Sequence, residues 1–246
     1  SLQAALGYLA RSERTVRHII LLADGSDSEH QEGVRELVAE EIAAQNITLS
    51  TVAIGAGPDL RFLELVHRLD KETSGVLLLA KKRSALVRLH AALREGKVEK
   101  HYLALVRGRF PHARQHVKLA LHKFVTAEGE RRVSVSETGQ PAHTVLTLVE
   151  RLGDYSLLEA ELRTGRTHQI RVHLAHLGYP IVGDEKYGDF ALNKQLARQG
   201  IKGMFLHARR VAFAHPVSGE TVAFEAPLPR TWESFLASLR NAGRTQ

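Results

Sequence analysis

Nine consecutive residues, His67-Arg68-Leu69-Asp70-Lys71-Glu72-Thr73-Ser74-Gly75, bring the parts of an acid–base or nucleophilic site into one polar loop. Asp70 stands between the cations Arg68 and Lys71, and neighbouring opposite charges favour the ionised carboxylate near neutral pH. Such a group can attack an electrophilic carbon or remove a proton. A second cluster lies at Arg163-Thr164-Gly165-Arg166-Thr167-His168-Gln169-Ile170-Arg171-Val172-His173. Thr167 is read as the cap of a helix whose Ile170, Leu174 and Leu177 face a core and which Gly178 ends. Free N–H groups at that helix start, with Arg166, His168 and Arg171 beside them, suit a phosphate or a carboxylate.

Metal chemistry fits less well. No two of His168, His173 and His176 are four positions apart, no glutamate accompanies them, and His112, His116 and His122 lack supporting glutamate or cysteine. The absence of cysteine excludes disulfides, thiolate metal sites and a cysteine nucleophile. The expectation is a site with no metal and no cofactor.

Lysine and arginine outnumber aspartate and glutamate by 34 to 27, a net charge of +7, and the isoelectric point is near 9.8. The excess concentrates between residues 81 and 132, where Lys81, Lys82, Arg83, Arg88, Arg94, Lys97, Lys100, Arg107 and Arg109 begin the series. A basic stretch of this kind favours a polyanion, because phosphate contacts supply most sequence-independent nucleic-acid affinity. No apolar run is long enough to span a bilayer and no leader pattern opens the chain. A monomer of the cytoplasm, without a membrane partner, is expected.

The elements that must position these groups follow from periodicity. Residues 18–23 and 47–54 read as buried strands with a helix at about 32–45 between them, a βαβ unit with parallel strands. Pro58-Asp59 marks the expected boundary between residues 1–60 and 61–246. Beyond it the pattern predicts a strand at 76–80, a helix over about 84–95 closed by Gly96, and a strand at 100–108. A basic excursion follows at 110–137, then strands at 144–150 and 155–162 joined through Gly153-Asp154, and a last helix carrying Trp232, Phe235 and Leu239. The fold class expected is α+β: a mixed, mainly antiparallel central sheet with flanking helices, preceded by the βαβ unit.

The loop His67–Gly75, the Lys100-His101-Tyr102-Leu103-Ala104-Leu105-Val106-Arg107-Gly108 strand and the Arg163–His173 segment together resemble the signature of bacterial pseudouridine synthases acting on ribosomal and transfer RNA. The resemblance runs from about residue 61 to 239. It implies a cofactor-free isomerase of uridine in RNA, with ribosomal RNA the first substrate and transfer RNA the second. It further implies that Asp70 is the catalytic carboxylate, that Tyr102 packs over the target base and that Arg171 pairs with Asp70. His67, Arg68, Arg166, His168, Lys81, Lys82 and Lys100 are expected to contact RNA. Family members normally carry an Asn-Lys-Pro-x-Gly strand pair and often an S4-type module ahead of this loop, and residues 1–60 have neither. That segment is similar instead to the later half of a von Willebrand factor type A domain, with Asp24 at the place of an acid beside a divalent metal. The chain therefore reads as a fusion, and the alternative function is an RNA-binding protein that keeps the synthase fold without turnover.

Overall fold

The computed structural model describes residues 17–23, 47–53, 64–80 and 82–244. The expected helix at 32–45, Asp24, the Pro58-Asp59 boundary and Lys81 lie outside the described residues. In chain order the strands begin β1 (Arg17–Ala23), β2 (Ile47–Ala53), β3 (Glu64–Leu65), β4 (Ser74–Gly75) and β5 (Leu78–Ala80), followed by helix α1 (Arg83–Arg94). Next come β6 (Glu99–Arg107), β7 (Arg114–Val117), β8 (Leu121–Val125), β9 (Arg131–Val135), β10 (Thr144–Leu152) and β11 (Tyr155–Leu162). The chain continues with α2 (Gln169–His176), α3 (Phe190–Arg198), β12 (Leu206–Ala214), β13 (Thr221–Glu225) and α4 (Arg230–Arg244). These elements form two compact units, one of residues up to 98 with 210–227, the other of 99–209 with 228 onward, so the division falls inside β12.

In the first unit four strands lie in the order β2-β1-β5-β3. β1 and β2 are parallel over seven residue pairs, from Arg17↔Ile47 to Ala23↔Ala53, as the βαβ reading requires. β1 also runs parallel to β5 through Ile20↔Leu78 and Leu21↔Leu79, so the N-terminal strands supply β5 with a neighbour instead of leaving an open edge. The expected strand at 76–80 is shortened to Leu78–Ala80. Gly75 has φ 106°, which breaks the extended run, and Ser74–Gly75 pair separately as β4. Val66, Val76, Leu78, Ala80, Leu89, Val98, Val211 and Phe213 form the core of this unit. The Ala85 and Leu89 face of α1 packs inward, and the helix closes as expected on Gly96, whose φ of 69° a side chain would resist.

The second unit is built on antiparallel pairing of β6 with β11, β11 with β10 and β10 with β7. The hairpin β10–β11 turns at Gly153-Asp154, and the basic excursion resolves into β7 and a separate two-stranded hairpin, β8–β9. Phe205 stacks with Trp232 and Phe235 of α4, which fixes the last helix as its apolar spacing predicts. Helix α3 is absent from the periodicity reading. Only Leu196 of its nine residues is buried, so it carries almost no apolar stripe; Asp189 caps it by accepting from the Leu192 N–H at 2.9 Å. The architecture is α+β.

Candidate active site

In the first unit the polar loop is closed at its neck by two bonds. Val66 N–H donates to the Leu78 carbonyl at 3.0 Å, and Leu78 N–H donates to His67 Nε2 at 3.2 Å. The His67 ring is thus a backbone clamp within its loop, a role beyond the RNA contact expected of it. Inside the neck, Thr73 N–H donates to the Asp70 carbonyl at 3.0 Å, folding residues 70–73 into a turn. Asp70 is half-buried, Arg68 and Lys71 are exposed, and Thr73, Ser74 and Gly75 are buried. The Asp70 carboxylate is therefore carried on a short turn whose base is tied to β5. The buried hydroxyl of Thr73 has no hydrogen-bond partner. Lys82 occupies the N-cap position of α1.

In the second unit Arg171 is almost fully buried and forms a two-pronged ion pair with Asp184. Nε meets Oδ2 at 2.7 Å and Nη2 meets Oδ1 at 2.8 Å, with the side chains 7% and 1% exposed. The backbone N–H groups of Lys186 and Tyr187 also donate to Oδ1, at 2.8 and 3.0 Å. Burial pushes the Asp184 carboxyl up, but the hydrogen bonds and charge of Arg171, with those two N–H groups, outweigh it and hold the carboxyl below its ordinary value. The guanidinium lies over the Tyr187 ring, 5.1 Å from its centroid. Tyr187 Oη accepts from Val133 N–H at 3.0 Å and shares a hydrogen bond of 2.8 Å with His168 Nδ1. His168 and Arg171 therefore meet at one tyrosine. Neither Asp184 nor Tyr187 is among the site residues expected from the sequence.

The start of α2 differs from expectation. Its cap position is His168, not Thr167, with φ 54° and no side-chain cap. A histidine in the left-handed region is uncommon and strained. Gln169, the first residue of α2, ties the preceding loop from below: its Oε1 accepts from Arg166 N–H at 3.0 Å and from the Thr164 hydroxyl at 2.7 Å. Gln169 Nε2 donates to the His143 carbonyl at 3.0 Å and to Thr144 Oγ1 at 2.9 Å. Thr144 passes its own proton to His173 Nδ1 at 2.9 Å, and His173 Nε2 donates to the Leu119 carbonyl at 2.9 Å. With His173 neutral, the Thr144 hydroxyl proton also has an acceptor. Burial lowers its pKa, partly opposed by the Leu119 carbonyl. Replacing Thr144 with valine keeps the shape and strands Gln169 and His173. We expect a loss of about 1–3 kcal/mol in urea unfolding. Because the folded state disfavours a proton on His173, wild-type stability from this group is complete above about pH 6.5 and falls as pH drops below it.

The remaining expected contacts are placed as follows. Arg166 is exposed and donates through Nε to the Pro141 carbonyl at 3.0 Å. Tyr102 is buried on β6, opposite Ala160 of β11, and Lys100 is half-buried two residues earlier on the same strand. Among the described residues no group of three His, Cys, Asp or Glu side chains is arranged to hold a metal, and no helix is long and apolar enough to cross a membrane.

The profile of the RNA pseudouridylate synthase family matches residues 53–176. The ribosomal large subunit pseudouridine synthase C of Pasteurella multocida is 50% identical over 183 residues, 74% of this chain and 56% of that protein. The protein of the same name from Escherichia coli K12 is 48% identical over 187 residues, 75% of this chain and 59% of that one. The chain thus spans a little over half the length of the curated relatives it matches. Among solved structures, human RNA Pseudouridylate Synthase Domain Containing 1 superposes with a TM-score of 0.59 at 26% identity, covering 83% of this chain and 86% of that one. Human RNA Pseudouridylate Synthase Domain Containing 4 gives 0.60 at 27% identity, covering 72% and 76%.

Proposed function

Because this chain belongs to the RNA pseudouridylate synthase family, we propose that it converts uridines of ribosomal RNA to pseudouridine, with Asp70 as the catalytic carboxylate. The observation that carries this reading is the Asp70 turn: an acid between two cations, on a loop pinned at its neck, within the matched stretch. The names of the bacterial relatives favour the large-subunit ribosomal RNA over transfer RNA.

The reaction breaks the bond between uracil N1 and the ribose, turns the base and rejoins it through C5. It needs no cofactor, because the leaving base is itself the returning nucleophile. The carboxylate of Asp70 either attacks the ribose or removes a proton from it. Tyr102 holds the detached base, and Arg171 steadies Asp70, with Asp184 fixing the guanidinium from behind. Arg68, His168, Arg166 and the lysines Lys81, Lys82 and Lys100 meet the target nucleotide and its phosphates, the enzyme working as a monomer in the cytoplasm. Residues 1–60 are read as a segment similar to part of a von Willebrand factor type A domain; the parallel pairing of β1 with β2 agrees with that reading, while the family match already begins within the segment, at residue 53.

The test is tritium release from ribosomal RNA labelled at uridine C5, prepared from cells lacking the modification. Multiple-turnover release is expected. RNA binding that weakens steeply with salt and is never accompanied by release would instead establish a binding protein without turnover.

A further inference from the structure

Lys100 and Tyr102 are two residues apart on β6, so their side chains leave the same face of the strand. Its pairing with β11 sorts the charges of this region between two faces. His101 stands opposite Glu161 and Leu103 opposite Glu159, so both acids of β11 lie on the His101 face, where His101 pairs with Glu159 at 3.2 Å and Arg163 with Glu161 at 2.8 Å. On the other face β11 offers Ala160 opposite Tyr102 and Leu158 opposite Ala104. β11 therefore offers no carboxylate on the face of Lys100. Its Nζ packs against Gly165 in the Arg163–His168 loop, where a Cβ would approach it to 3.1 Å. Burial pulls the lysine down from its usual pKa, and no opposite charge offsets it. A cation drawn partly out of water with no anion to meet it is costly. An acceptor brought by a substrate would offset that cost.

We propose that Lys100 is a catalytic residue: its ammonium donates to a carbonyl oxygen of the uracil held against Tyr102 and carries the negative charge the ring acquires when it leaves the sugar. This rests on the synthase reading above. The N1–C1′ bond breaks with its electron pair on the ring, where the charge spreads from N1 to the carbonyl oxygens. The C5–C1′ bond then forms, the C5 proton departs and N1 gains one, so atoms and electrons balance without a redox partner. Lys100 keeps its three protons throughout. A donor set in a water-poor site before charge appears is effective because it needs no rearrangement as the charge develops.

The experiment compares wild type, Lys100→Met and Gly165→Ala in steady-state tritium release and in RNA binding across a salt series. Lys100→Met is expected to lower kcat about a hundredfold while KM stays within about threefold. Gly165→Ala keeps the lysine but sets a methyl against Nζ, and is expected to lower kcat about tenfold by displacing the ammonium. It carries the test should the methionine variant not fold. An unchanged kcat in both variants overturns the proposal. So does a raised KM with a salt slope reduced by about one and kcat intact, which is the mark of a phosphate contact. A wild-type chain that releases no tritium overturns the synthase reading and this inference with it, whereas active wild type with active variants overturns this inference alone.

Discussion

Asp70→Asn is expected to abolish tritium release, by at least about a thousandfold in kcat, while RNA affinity and its salt dependence stay near wild type. The change removes one charge and the reactive oxygen while keeping the size and shape of the side chain. The Asp70 backbone carbonyl, which the substitution keeps, receives the Thr73 N–H, and the neck of the loop is held by Val66, His67 and Leu78. Thermal unfolding should therefore move by no more than about 1 kcal/mol, as for a half-buried polar substitution. A neutral amide neither attacks the ribose nor takes its proton, so either role of the carboxylate predicts the same loss. Release that persists in the asparagine variant would remove Asp70 from the chemistry.

The largest effect on stability is expected at Asp184. Asp184→Ala leaves the Arg171 guanidinium buried without its counter-charge and frees the N–H groups of Lys186 and Tyr187, a cost of about 3–5 kcal/mol. In a chain of this size that corresponds to a fall in Tm of about 10 °C. Asp184→Asn should do less harm, because the amide oxygen still accepts from the two N–H groups. Pairing it with Arg171→Met should cost less than the two single changes added, since each single change leaves the other member of the Arg171–Asp184 pair without it and the double leaves neither. The pH dependence follows from the direction of the shift. The folded carboxyl titrates below its unfolded value of about 3.9, so its contribution is complete above that pH and is lost as pH falls through the folded value. Acid unfolding that is unchanged in Asp184→Asn would show that the pair contributes nothing net.

The sequence reading succeeded where the chemistry is contiguous. Residues 67–75 announce a loop with an acid between two cations because all the parts are neighbours, and the strand, helix and hairpin spacings around them are local patterns. It was blind where partners are chosen by the fold. Arg171 and Asp184 are thirteen positions apart, and nothing in either neighbourhood says they meet. The pairing appears only once α2 and the turn at 183–188 are in place, although the glycines flanking that turn were a usable sign. Gly188 was the sharper one, since a side chain there would strike the Asp184 carbonyl. Lys100 looked like one lysine among many in a basic stretch. Its isolation becomes visible only when the β6–β11 register puts Glu159 and Glu161 on the opposite face. The left-handed backbone of His168 escaped for the same reason: tertiary contacts, not local propensity, maintain it.

The seam between β1 and β5 spans two residue pairs, whereas β1 and β2 share seven. The first two strands are thus a ribbon hinged on a narrow edge, and the backbone bonds of Leu78 at that edge point the other way, toward Val66 and His67. Sub-global opening that peels the ribbon away would expose one side of β5 and still leave the Asp70 turn knotted at its base. Anything that stabilises or loosens the N-terminal strands would then change resistance to proteolysis before it changes turnover.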